Sequence, residues 1–130
     1  MVFFNDPLER PDHVERALRM ALEMRETLTT LREGWRLRGY AIDLGIGVHT
    51  GYATCGFIGY EGRRDYGVIG NVTNLAARLS DAAKGGEILI STVLREVVRP
   101  TGEFRFGEYR NEVFKGFKGE QTLTTVEWRE

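Results

Sequence analysis

The sequence predicts an α+β domain in which helices pack on an antiparallel-rich sheet. Three observations carry this. Ile42, Leu44, Ile46 and Val48 alternate with small or polar residues, the period of a strand with one buried face. Val14, Ala17, Leu18, Ala21, Leu22, Leu28, Leu31 and Trp35 recur at helical spacing and form one apolar stripe. Two strand-like runs, Cys55 to Ile58 and Tyr66 to Ile69, are joined by the polar tip Gly59 to Asp65. So short a connection implies antiparallel pairing, whereas a doubly wound parallel sheet needs a helix between strands.

The elements follow in order. Val2 to Phe4 reads as the end of a strand. Asp12 can cap the first helix, with Glu15 three residues on as reciprocal partner, and Gly39 ends it. The alternating strand comes next, with Gly45 and Gly47 on its other face, and Gly51 breaks it. After the hairpin, Gly70-Asn71-Val72-Thr73 opens a second helix with Leu75, Leu79 and Ala82 toward the core, and Lys84-Gly85-Gly86 stops it. Ile88 to Ile90 is a short strand. Ser91 or Thr92 caps a short helix through Val98, closed by Pro100. Phe104-Phe106 and Val113-Phe114 belong to one strand or hairpin, and Leu123 to Trp128 is the last strand.

Composition narrows the function. With 130 residues, 42% of them hydrophobic and 28% charged, the chain suits one globular domain, residues 1–130. A net charge of −1 and the absence of an aromatic-rich RNA-binding pattern argue against a nucleic-acid partner. The single cysteine, Cys55, allows no intrachain disulfide and suits a reducing cytoplasm. No apolar run approaches the ~18 residues of a membrane span.

The residues able to do chemistry sit on the second helix. Asn74 and Arg78 are four apart and share a face beside the core stripe. Arg stays charged and donates in a planar fork suited to phosphate, and an amide can bond a sugar or phosphate group. The helix start adds free N–H groups for an anion. From spacing alone, a surface pair that solubilises the helix is the simpler account. His49, ending a strand, reads as structural, and Cys55 as a small core residue.

Three stretches carry a resemblance: Ile46-Gly47-Val48-His49-Thr50-Gly51, then Gly56-Phe57-Ile58-Gly59, then Tyr66 through Leu79. Together they resemble the class III adenylate and guanylate cyclase catalytic domain. The run Gly70 to Leu79 is similar to that family's most diagnostic segment, and matching pieces extend from Phe3 to Phe117. The resemblance implies a ferredoxin-like nucleotidyl cyclase fold. It implies formation of a cyclic nucleotide and pyrophosphate from a nucleoside triphosphate, for intracellular signalling, with ATP favoured over GTP. It gives Asn74 the ribose, Arg78 the charge of the phosphoryl transition state and Lys115 the terminal phosphates, with Lys118 a near rival. It sets Gly67, Val68 and Ile69 along the base. It implies a homodimer with sites at the interface, for which the Gly59 to Asp65 hairpin and the Gly45/Gly47 strand are candidate dimer elements.

The sequence also departs from the family pattern. The family holds two Mg²⁺ or Mn²⁺ ions on two aspartates, which the alignment of Met1 to Pro7 places upstream of this sequence, with the first strand, helices and the base-contacting lysine. The sequence is therefore read as an N-terminally truncated cyclase domain with no metal ligand of its own. Asp6 is read as a turn residue before proline. The chain alone is expected to be inactive. Gly67 stands where relatives carry a polar side chain that reads the purine. The competing account is a degenerate, non-catalytic module that binds nucleotide or a partner.

Overall fold

The computed structural model describes residues 1–6, 8–60 and 63–129, with side chains at 54, 57–60, 63–69 and 129 outside the description. Its regular elements are α1 (His13–Leu37), β1 (Ile46–Val48), β2 (Thr54–Tyr60), β3 (Arg63–Ile69), α2 (Asn71–Ala82), β4 (Ile88–Ser91), α3 (Thr92–Val98), β5 (Phe104–Phe106), β6 (Arg110–Val113) and β7 (Glu120–Arg129). A single 3-10 turn, Arg99–Thr101, carries Pro100 and follows α3. The α+β class read from the sequence is the class observed.

The main sheet runs β1-β4-β7-β5, with β6 also on β7. β1 and β4 are parallel, Ile46 opposite Ile88 and Val48 opposite Ile90. The pairings of β7 with β4, β5 and β6 are antiparallel. β7 can serve three partners because it is ten residues long and has two edges: β6 and β5 take successive stretches of one, and β4 pairs along Leu123 to Thr125 on the other. Phe104-Phe106 and Val113 therefore lie on separate strands, each paired to β7 rather than to one another.

Alternation along β4 sorts the core into two layers. Ile88 and Ile90 pack with Val14, Leu18, Ala21 and Leu22 of α1 and with Leu94 and Val98 of α3. Leu89, between them, points the other way and packs with Leu75 and Leu79 of α2, Phe114 and Leu123. The sheet thus separates α1 and α3 from α2.

Gly47 pairs with Leu89 and shares its face, which is the face α2 covers. A Cβ at Gly47 would lie 2.6 Å from the carbonyl carbon and Cβ of Leu79 and would meet the backbone nitrogen of Ser80. A Cβ at Gly45 would lie 2.9 Å from the carbonyl carbon of Ala83. Only glycine lets the helix backbone come so close, and Gly47 N–H donates to Ser80 Oγ at 3.2 Å. The Gly45/Gly47 face, expected as a dimer element, is the seat of α2 within the chain.

Other expectations shift for physical reasons. Among the described residues Val2 to Phe4 pairs with no strand and is not itself one. β1 is three residues long, although the alternation begins at Ile42, which is exposed. β4 offers only four residues, and β1 is the last strand on its side of the sheet. Asp12 precedes α1 but makes no capping bond; its carboxylate accepts from Arg16 Nε at 2.8 Å instead. Ser91 does cap α3, accepting from Leu94 N–H. α2 stops at Ala82 because Ala83 turns extended, ahead of the glycine pair.

β2 and β3 form a separate two-stranded ribbon, in register from Thr54 opposite Ile69 to Tyr60 opposite Arg63. The strands run longer than the sequence suggested, leaving a tip at 61–62, outside the described residues.

Candidate functional site

Asn74 and Arg78 both lie on α2, one turn apart, with Asn74 exposed and Arg78 half-buried. Their helix is seated by Leu75 and Leu79, the latter fully buried. Among the described residues Arg78 forms no ion pair or hydrogen bond. Its five donors are accordingly not spent inside the described fold.

Lys115 lies in the connection from β6 to β7 and is exposed, as is Lys118. The connection opens with a tight turn in which Phe117 N–H donates to Phe114 O at 3.2 Å. Gly116 holds φ at +89°, a value that favours glycine. Phe114 is buried against Leu75 and Leu79, and Phe117 packs on the same cluster. The residue before Lys115 is therefore anchored on the helix that bears Asn74 and Arg78, on the same side of the sheet. Lys118 stands beyond Phe117, one step further from that anchor, and its carbonyl accepts from Gln121 Nε2.

Gly67, Val68 and Ile69 end β3, opposite Gly56, Cys55 and Thr54. Gly70 is the only residue between Ile69 and α2. The ribbon thus runs directly into the helix start. The side chains of Val68 and Ile69 lie outside the described residues, and Gly67 has none.

A cavity of about 830 Å³ opens elsewhere. It runs between the N-terminal segment, α1, β1 and a different flank of α2, that of Thr73, Ala76, Ala77 and Ser80. Asn74, Arg78 and Lys115 do not line it. Among the described residues there is no group of three or more His, Cys, Asp or Glu side chains able to hold a metal ion. The described residues thus offer no such group for the divalent cations that the family resemblance implies.

His49 proves structural. Its Nδ1 lies 2.6 Å from Ser91 Oγ, which also caps α3. Burial pushes the imidazole below its usual 6.5, so the neutral ring is favoured. Cys55 is exposed rather than in the core. Although the residue is exposed, partial desolvation of the thiol, followed by the charge and hydrogen bond of Asp6, raises it above its usual value.

One arrangement near the site had no local signal in the sequence. Arg110, at the start of β6, forks onto Glu87 with Nη1 to Oε2 at 3.0 Å and Nη2 to Oε1 at 3.2 Å. The same Nη2 donates to the carbonyl of Ala82, the last residue of α2, at 3.3 Å. Lys84 N–H donates to Glu87 Oε1 at 2.9 Å. Burial alone would raise the Glu87 carboxyl; the Lys84 N–H and the Arg110 fork outweigh it and hold it below 4.5.

Among the described residues no helix is long and apolar enough to cross a membrane. The sequence model of the family described as "Adenylate and Guanylate cyclase catalytic domain" matches residues 1–127. The curated protein "Adenylate cyclase 1" of Rhizobium meliloti (strain 1021) is 30% identical over 105 residues, covering 78% of this chain and 16% of that protein. The solved guanylyl cyclase Cya2 superposes with a TM-score of 0.83 at 30% identity, covering 95% of this chain and 62% of its own. The adenylyl cyclase CyaB from P. aeruginosa gives 0.80 at 32%, covering 95% and 64%. The guanylate cyclase domain of RhGC from Catenaria anguillulae, solved in complex with GTP, gives 0.82 at 28%, covering 98% and 66%. The chain thus spans less than two thirds of the first two solved relatives and a small part of the curated one.

Proposed function

The chain belongs to the adenylate and guanylate cyclase catalytic domain family, and from that premise we propose that it supplies the ribose- and phosphate-binding part of a nucleotidyl cyclase site. In this reading the ribose 3′-oxygen attacks the α-phosphorus. The 3′-hydroxyl gives its proton to solvent, a P–O bond forms at the α-phosphorus as its bond to the bridging oxygen breaks, and pyrophosphate leaves with the bonding electrons. Arg78 is the donor aimed at the charge that develops on the transferred phosphoryl oxygens, where preorganised donors contribute most. Asn74, one turn earlier on the same face, orients the ribose. Lys115 holds the terminal phosphates as a point charge. Gly67 to Ile69 line the base with backbone groups. The chemistry ends in a cyclic nucleotide for signalling, and the class of enzyme is a phosphorus–oxygen lyase.

The observation that supports this reading best is the shared anchor. Phe114 packs on Leu75 and Leu79, so two cationic side chains from distant parts of the sequence border one helix face. The half-buried Arg78 without a partner among the described residues is what an anion site requires.

We favour ATP over GTP as the family resemblance suggested; the relatives named above include both adenylate and guanylate cyclases, and the binding test compares the two nucleotides. A homodimer is proposed because the ribbon β2–β3 stands apart from the main sheet, and two strands alone are marginal without a further surface to pack on.

The test measures ATP and GTP binding to the chain by calorimetry, and cyclic product by chromatography with Mn²⁺ supplied. Arg78→Ala and Lys115→Ala are expected to weaken triphosphate binding by about tenfold or more each, on the scale of ~1.5–3 kcal/mol for hydrogen bonds to charged groups. Binding that is the same in both variants as in the original chain overturns the assignment.

A further inference from the structure

We propose that Arg110 and Glu87 form a positioning clamp that sets α2, and so Arg78, against the turn bearing Lys115. The proposal rests on the nucleotide-site reading above. The clamp touches no site residue itself. It acts through the last turn of α2.

The argument starts from what a helix end lacks. The last carbonyls of α2 have no partner within the helix. Arg110 Nη2 supplies one to Ala82, four residues and one turn beyond Arg78. The guanidinium is held in place by its fork onto Glu87. Glu87 is held in turn by Lys84 N–H, in the segment leaving the helix. A second carboxylate, Glu112, lies 3.8 Å from Arg110 Nε, which has no hydrogen bond of its own. The polar contacts around the guanidinium are thus made to α2, to the segment after it and to β6.

β6 then meets α2 a second time. Arg110 and Leu123 are paired across β6 and β7, on the face α2 covers. Four residues on, Phe114 is buried against Leu75 and Leu79. The strand and the turn that follows it therefore meet the helix at two points, polar at its C-terminal end and apolar at its middle. These contacts add to the seat of α2 on β1 and β4, and the polar one fixes the C-terminal end of the helix. Lys115 follows the second grip directly, and Arg78 lies between the two. This strand thus links the C-terminal end of α2 to the turn that bears Lys115.

Lysine cannot replace the arginine. Its ammonium is one point, and it cannot hold both Glu87 oxygens in a fork while reaching the Ala82 carbonyl.

The test uses the chain as it exists. Arg110→Gln, Arg110→Lys, Glu87→Gln and the Arg110→Gln/Glu87→Gln pair are compared by calorimetric ATP binding and by amide hydrogen exchange. Arg19→Gln is the control. Arg19 forks onto Glu103 with bonds of 2.6 and 2.7 Å on the other side of the sheet, so its loss disturbs a comparable ion pair far from α2. Arg110→Gln and Glu87→Gln are expected to weaken ATP by about tenfold, the scale of side chains coupled in one network, with the double variant no worse than either single. Arg110→Lys is expected to restore only part of the loss. Exchange should quicken at residues 79–83 and at Phe117 N–H together, and stay unchanged at 17–22 of α1. Arg19→Gln should bind ATP as the original chain does.

Equal ATP affinity in Arg110→Gln overturns the clamp, as does an equal loss in Arg19→Gln, which would make the effect general destabilisation. If the original chain binds neither ATP nor GTP, the nucleotide-site reading falls and exchange alone decides the clamp. Joint quickening at the α2 end and the 114–117 turn upholds it, and unchanged exchange there overturns it.

Discussion

Replacing Gly47 with alanine adds one methyl group, yet the structure gives that group nowhere to go. The new Cβ would sit 2.6 Å from the Leu79 carbonyl carbon and its Cβ, and against the Ser80 nitrogen. These are helix backbone atoms and the root of a fully buried side chain, so no flexible tip can swing aside. Either β1 or α2 must move as a body. Overpacking of this kind costs about 1–3 kcal/mol. A helix lifted off the strand also re-exposes part of Leu79 and Leu75, and full exposure of one leucine is worth roughly 1.5–3 kcal/mol. The expected loss is about 3–5 kcal/mol, a large share of the ~5–15 kcal/mol that holds a domain together. Urea unfolding followed by the fluorescence of Trp35 and Trp128 reads it, with the midpoint falling and the slope retained. Gly34→Ala is the matched control, because Gly34 lies inside α1 with open space around it. There the same methyl should stabilise by about 0.5–1 kcal/mol. A Gly47→Ala chain within ~1 kcal/mol of the original would show that α2 is not seated on β1, and the account of both glycines would fail.

Three further outcomes follow from named contacts. The His49 ring is held neutral by burial, so its folded proton affinity lies below the unfolded one; its contribution is complete above 6.5 and is lost as the pH falls below 6.5 through the lowered folded value. His49→Gln should flatten the stability–pH curve there, and an unchanged curve would refute the assignment. Gly116→Ala forces a left-handed residue at φ +89° beside Lys115; it should cost about 1 kcal/mol in urea unfolding and weaken triphosphate binding, and loss of neither would mean the turn is free to readjust. Phe114→Ala should cost about 3–5 kcal/mol by emptying the cluster it shares with Leu75 and Leu79, and a smaller loss would place the 114–117 turn off the core.

Local pattern made the helices and most strands legible. The stripe from Val14 to Leu22 is the buried face of α1, and Leu75 with Leu79 that of α2. What pattern could not give was length and partnership. Ile42 and Leu44 alternate as well as Ile46 and Val48, but a strand lasts only as long as a neighbour does. Val2 to Phe4 is apolar enough for a strand and, among the described residues, pairs with none. Gly45 and Gly47 announced a close approach without saying to what, and the answer was a helix more than thirty residues on. The Asn74 and Arg78 pair stood out by spacing and by family likeness. Arg110 and Glu87 did not, because an ion pair between residues 23 apart leaves no period to read.

The parallel pairing of β1 with β4 also orders events in time. Bringing Ile46 beside Ile88 closes a long loop, and its entropy must be lost before the contact repays it. Everything inside that loop is local: a hairpin in register from Thr54 opposite Ile69, then a helix. Hairpins and helices form within about ten microseconds. The segment carrying Asn74 and Arg78 thus samples its ribbon and helix before the sheet that will hold them, and the glycine seat on β1 is what fixes them in place. Refolding should accordingly be limited by the docking of β1 on β4. Mutations in that pair, and in the ribbon formed before it, would slow the folding arm of a chevron, while those in contacts made after docking would act on unfolding.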